Sequence, residues 1–230
     1  MLSEIIFEGY ARQLLYTSNN MSKIMNPKIK IKETALLVVD VTNGCCHLNC
    51  EIKKWNVTFN KIRKMVPNLK SFISQYRKSG GQVIFVNCTP WKEEFLAKNI
   101  VELYKDPKCK YYSTDKTGFS EKFFELEPQK NDFIVTKNTY DAFTNPKLDK
   151  FLKKKKIKYI TVAGVFGDGC VESTIQGGFS AGYNFIILKD LIETTDVEIR
   201  QILQRLLKEY TWPIMFGMTI NSKSFFDFVK

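Results

Sequence analysis

The hydrophobic pattern changes character at Thr34. Residues 1–33 contain no clear strand and end in a polar, lysine-rich stretch with Pro27; they read as an N-terminal extension, helical over residues 3–16, that packs on the domain or on a partner chain. Residues 34–230 read as one domain. TALLVVDV (34–41) is a continuous apolar run, the signature of a strand buried on both faces. Ile62, Met65, Val66, Leu69, Phe72, Ile73 and Tyr76 recur at three- and four-residue spacing, which predicts an amphipathic helix closed by Gly80–Gly81. QVIFVN (82–87) is the second strand. From Cys88 to Lys130 the pattern breaks up around Pro90, Pro107, Gly118 and Pro128, with a helix compatible only over 92–104.

DFIVTK (132–137) is the third strand. NPKLDKFLKKK (145–155) is a helix with Asn145 as N-cap and Pro146 at its first position. KYITVAG (158–164) is the fourth strand, 171–181 a helix, and NFIILKD (184–190) the fifth strand. Thr194–Thr195–Asp196 are expected to cap a helix over 197–209, and WPIMF (212–216) to add an edge strand. Apolar strands separated by helices predict an α/β fold: a three-layer α/β/α sandwich on a mostly parallel, doubly wound, Rossmann-type sheet.

Composition agrees with a folded globule, at 44% apolar and 13% aromatic residues. No apolar run approaches the roughly 18–20 residues of a membrane helix. The early Glu4 and Glu8 do not suit a secretory signal. A cytoplasmic protein with reduced thiols and no membrane partner is therefore expected. The net charge of +11 invites a polyanion-binding reading, but the basic residues are scattered. The densest run, Lys153–Lys156 with Lys158, falls at a helix end, where lysines complement the dipole. No nucleic-acid partner is expected.

Ligands of such sheets bind beyond the carboxyl ends of the strands. Asp40, Lys137 and Cys170 fall at three of those ends. Cys170 closes a glycine-rich turn, IKYITVAGVFGDGC, and opens a helix whose dipole and free N–H groups are expected to lower its pKa and to hold an oxyanion. A carboxylate to take the thiol proton, a lysine to stabilise the thiolate and a cysteine to attack a carbonyl form a catalytic set. Trp91, Tyr140 and Phe143, each just past a strand end, are expected to line a pocket. Asp168 is expected to cap the helix after the turn.

The segments ALLVVDVTNG and VTKNTYDAFTNPKLDKFLKKKKIKYITVAGVFGDGCVESTIQGGFSAGYNFIILKD resemble the isochorismatase-like cysteine hydrolases, a group that includes nicotinamidases and carbamoylsarcosine amidohydrolases. The resemblance covers residues 34–195, about 70% of the chain. It implies Asp40 as general base, Lys137 as its electrostatic partner and Cys170 as nucleophile. It also implies a cis peptide at Val165–Phe166 that points the Phe166 N–H at the oxyanion. Finally, it implies a homo-oligomer, dimer or tetramer, acting on a small-molecule substrate.

The departures shape the expected function. The resemblance implies a metal site of an aspartate and histidines in members that hydrolyse nicotinamide. Here NCTPWKEEF (87–95) offers no histidine and His47 is the sole one, so no cofactor and no metal are expected. Asn43 is retained from the family's Gln–Asn–Asp–Phe and is assigned to substrate binding, whereas Thr42, Gly44 and Cys45 differ. Cys45–Cys46–His47–x–x–Cys50 has the residue types of a zinc site but adjacent cysteines and no second pair, which favours a reduced cysteine-rich loop. The expected activity is hydrolysis of a C–N bond in a small amide, carbamoyl or ureido compound through a thioester. The alternatives are enol-ether hydrolysis of the isochorismate type and an idle relative serving as an interaction module.

Overall fold

The structure is a computed structural model that describes residues 29–106 and 112–230. The helix expected over residues 3–16, and Cys109, lie outside the described residues. Six strands form one sheet, in the order β3-β2-β1-β4-β5-β6. They are β1 (Thr34–Val39), β2 (Gln82–Cys88), β3 (Phe133–Lys137), β4 (Tyr159–Val165), β5 (Asn184–Glu193) and β6 (Gly217–Ile220). Every pairing is parallel. The chain winds outward from β1 to β3, then crosses back to start again at β4 on the other side of β1.

The apolar runs become strands because both faces are covered. In β1, Leu36 and Val38 join the core beneath α1 (Asn60–Lys78), while Ala35, Leu37 and Val39 join the core on the opposite face. The α1 residues at three- and four-residue spacing are all buried. At about 1.5–3 kcal/mol for each large apolar side chain removed from water, that face fixes the helix more firmly than propensity does. α2 (Lys98–Leu103) lies in the β2–β3 connection. α3 (Pro146–Lys154), α4 (Glu172–Ser180) and α5 (Glu198–Leu206) follow β3, β4 and β5. Asn145 caps α3 as expected, its side chain accepting from the Lys147 N–H. The lysine run ends α3, at the sheet end away from the strand C-termini.

Two expectations need correction. WPIM (Trp212–Met215) is helical and continues the segment begun by α5; Trp212 is fully buried and donates its indole N–H to Glu172. Pro213 has no N–H for a ladder. The edge strand is β6, where Gly217 (φ +154°) runs so close to Phe185 that a Cβ would meet its carbonyl oxygen at 2.3 Å. Likewise, Thr194–Thr195–Asp196 do not cap α5. The Asp196 carboxylate instead accepts from Thr58 Oγ1 (2.6 Å), Asn60 N (2.7 Å) and Lys61 N (3.1 Å), capping α1 from across the molecule.

Candidate active site

The order of strands puts β1 and β4 side by side at the point where the winding reverses, so their C-terminal ends open a crevice. Asp40 follows β1 in a left-handed conformation (φ +51°) that aspartate tolerates better than most residues. Across the pair, opposite Val39, the residue before Asp40, stands Gly164 (φ +123°), where a Cβ would sit 2.2 Å from the Val39 oxygen. The glycine allows β4 to pass close enough to deliver the next turn to Asp40. That turn, Gly167–Val171, carries Cys170, and the Val165–Phe166 peptide preceding it is cis.

The strand-end residues converge. Lys137 Nζ donates to Asp40 Oδ2 at 2.7 Å, with both side chains buried, and to the Thr139 carbonyl at 3.0 Å. Cys170 is buried beside them. A fourth member, Cys88, was not singled out in the sequence. It ends β2 in register with Lys137 on β3; its sulfur accepts from Lys137 Nζ at 2.9 Å and lies 3.6 Å from each Asp40 oxygen. The signal that finds it is the strand-end position itself, which Asp40 and Lys137 share.

The charges are tightly linked. Burial by itself lowers the Lys137 pKa. Asp40 and the two thiols more than offset this and hold its pKa well above the ordinary lysine value. Cys170 is also pushed well above the ordinary thiol value, first by its hydrogen bond with Cys88, then by burial and Asp40, against the opposing pull of Lys137. A helix start by itself lowers a thiol's pKa, so the expected lowering is corrected here: the second sulfur, burial and a carboxylate outweigh the dipole. Cys170 thus rests as a thiol beside a carboxylate, a pair suited to proton transfer.

The site opens into a cavity of about 1080 Å³. Trp91 and Tyr140 stack in its wall (centroids 5.9 Å apart, planes 30°), and Trp91 Nε1 donates to Tyr104 Oη at 3.1 Å. Burial pushes the Tyr104 hydroxyl up to about 12. Tyr104, the residue after α2, closes the helix expected over 92–104, and a helix end far from any strand end gave no signal that it lines the cavity. Two predicted pocket residues lie elsewhere. Phe143 packs beneath Gly178, whose Cβ would meet its ring at 2.5 Å, and Asn43 donates Nδ2 to the Phe119 carbonyl at 3.0 Å, tying down the loop around it. Asp168 is not a cap. It forms a bidentate pair with Arg200 (2.7 Å to each oxygen), whose guanidinium lies 4.9 Å over the Phe166 ring. This pair joins the turn to α5.

The Cys45–Cys50 loop assembles nothing of its own. His47 Nδ1 accepts from Asn49 N and the ring meets Phe119 and Phe124 edge-on. Among the described residues, ligand-capable side chains gather in threes only at Asp40, Cys88 and Cys170, where the Lys137 ammonium already provides the cation. The described cysteines are free thiols. No described helix is long and apolar enough to cross a membrane.

The chain is similar to known proteins over most of its length. The isochorismatase domain model matches residues 34–215. A ureidoacrylate amidohydrolase of Acinetobacter baylyi is 24% identical over 208 residues, covering 84% of this chain and 82% of that protein. Among solved structures, a cysteine hydrolase from Pseudomonas syringae pv. phaseolicola superposes with a TM-score of 0.71 at 23% identity, over 87% of this chain and 93% of its own. An N-carbamoylsarcosine amidase from Thermoplasma acidophilum gives 0.61 at 21%, over 83% and 96%. The fold is that of these proteins.

Proposed function

We infer the reaction from one premise: the chain belongs to the isochorismatase family of hydrolases. We propose that it cleaves the C–N bond of a small amide, carbamoyl or ureido compound through a thioester on Cys170. The observation that carries this reading is the buried Lys137–Asp40 pair at 2.7 Å beside the Cys170 thiol. Names of similar proteins, a ureidoacrylate amidohydrolase and a carbamoylsarcosine amidase, support the amide and ureido class.

Asp40 takes the thiol proton as the Cys170 sulfur attacks the carbonyl carbon. Lys137 holds the carboxylate in place and limits the cost of moving charge in a buried site. The backbone N–H groups of Phe166 and Cys170 receive the oxyanion. Asp40 returns its proton to the leaving ammonia or amine, then activates the water that hydrolyses the thioester. The stacked Trp91 and Tyr140 rings offer a flat wall for a planar amide or ureido group.

The test is ammonia release from a panel of amides, carbamoyl and ureido compounds by native protein and Cys170→Ala. Release that disappears in the variant supports the reading. Release undiminished in the variant, or a protein that ignores the whole panel and turns over an isochorismate-type enol ether, overturns it.

The homo-oligomer expected from the family resemblance has a candidate contact in the outer face of α5 and its continuation. Ile199, Leu203, Leu206 and Ile214 lie exposed there at helical spacing. A second copy is the proposed occupant, because the exposed apolar side chains repeat along one face and two such faces can cover each other about a two-fold axis. Leu203→Glu with Leu206→Glu is expected to yield monomers by light scattering; an unchanged mass would place the contact elsewhere.

A further inference from the structure

Cys88 has no step in the acyl-transfer account, yet it stands inside the site. Its sulfur, the Cys170 sulfur and an Asp40 oxygen lie within 4.8 Å of one another, and both thiols line the same cavity. Neither is held in a disulfide. A disulfide is about 2.05 Å long, so the sulfurs have a gap of less than about 3 Å to close. Lys137 donates to the Cys88 sulfur and Asp40 lies 3.6 Å from it. A cation and a proton acceptor thus flank the second thiol as well as the first.

We propose that Cys88 and Cys170 form a modification site for hydroperoxides, with Cys170 as the peroxidatic thiol and Cys88 as the resolving thiol. The Cys170 sulfur, giving its proton to Asp40, attacks the distal oxygen of the hydroperoxide; the O–O bond breaks and the alcohol, or water from hydrogen peroxide, leaves with a proton. Cys170 becomes a sulfenic acid. The Cys88 sulfur then attacks that sulfur, and the hydroxyl group leaves as water with the proton Cys88 gives up. The sum is two thiols and one hydroperoxide converted to one disulfide, one alcohol and one water. The disulfide removes the nucleophile of hydrolysis and returns it on reduction by two equivalents of a thiol. The inference rests on the two sulfurs and stands whether or not the substrate is an amide.

Trypsin separates the thiols cleanly: Cys88 falls in peptide 79–92, Cys170 in 159–189, and Cys45, Cys46 and Cys50 in 33–53. The full chain is treated with hydrogen peroxide, free thiols are blocked with N-ethylmaleimide, and the digest is mapped by mass. The expected result is peptide 79–92 joined to 159–189, the link disappearing with dithiothreitol. In Cys88→Ala, sulfinic acid on Cys170 should accumulate at least roughly tenfold faster, because nothing captures the sulfenic acid. Cys170 reaching the sulfinic acid without a link in the native chain would overturn the proposal. A link from 159–189 to 33–53 would overturn it too, since Cys45 also lines the cavity. Should the variant fail to fold, the native map alone decides.

Discussion

Two cysteine-bearing regions of this molecule were made in opposite ways. Cys45, Cys46, His47 and Cys50 are packed into six residues, yet their side chains separate. Cys46 is buried in the core under α1. His47 turns back on its own loop, and of the four only Cys45 and Cys50 contribute to the wall of the cavity shared with Cys170. Asp40, Cys88, Lys137 and Cys170 are scattered over the chain, 97 positions separating Asp40 from Lys137, and they meet within hydrogen-bonding range. Proximity along the chain says little about chemistry unless the backbone points the side chains one way. A parallel sheet does so for every residue that ends a strand.

Substitutions should separate the regions sharply. The largest difference is expected between Cys170→Ala, which should abolish amide turnover, and Cys46→Ala, which should keep it while losing about 1 kcal/mol of stability from a small core cavity. Equal activity losses in the two, measured beside chemical denaturation, would erase the distinction. Next, Asp40→Asn should lower kcat/KM by roughly 10²–10⁴-fold, the range for a lost general base. A loss seen only in KM would assign Asp40 to binding.

Lys137→Met joins activity to stability. It strands the Asp40 charge, at a cost of about 3–5 kcal/mol for a broken buried pair. Because the folded pKa of Lys137 is raised, its contribution is complete below the unfolded value of about 10.4 and declines as pH rises toward the folded value. The stability of the native protein should therefore fall at strongly alkaline pH, and the variant should lack that component of the fall. Parallel pH–stability curves for the two would contradict the pairing. The smallest effect belongs to His47→Gln, which should leave the pH–rate profile unshifted; loss of a limb near neutrality would bring His47 into the site.

The sheet was legible because strands buried on both faces leave unbroken apolar runs, as β1 shows. WPIMF misled because tryptophan, isoleucine and phenylalanine suit strands locally, whereas the position of Trp212 is set by Glu172, forty residues away. Asp168 misled for the same reason: its partner, Arg200, lies 32 positions on. Asp40, Lys137 and Cys170 could be read from strand ends. Cys88 could not be recognised as readily, since a cysteine closing an apolar strand reads as one more small apolar residue, and its meaning comes from its register with Lys137. Phe143 shows the limit of the strand-end rule: a position past a strand can turn beneath the next helix instead of into the crevice.

The claim that strand ends build a nucleophile is tested most directly by rapidly acid-quenching the full chain during turnover of an amide and locating the acyl group by peptide mass. The account predicts an acyl thioester in peptide 159–189, on Cys170, and none in Cys170→Ala. An acyl group carried by another peptide, with turnover persisting in that variant, would contradict it.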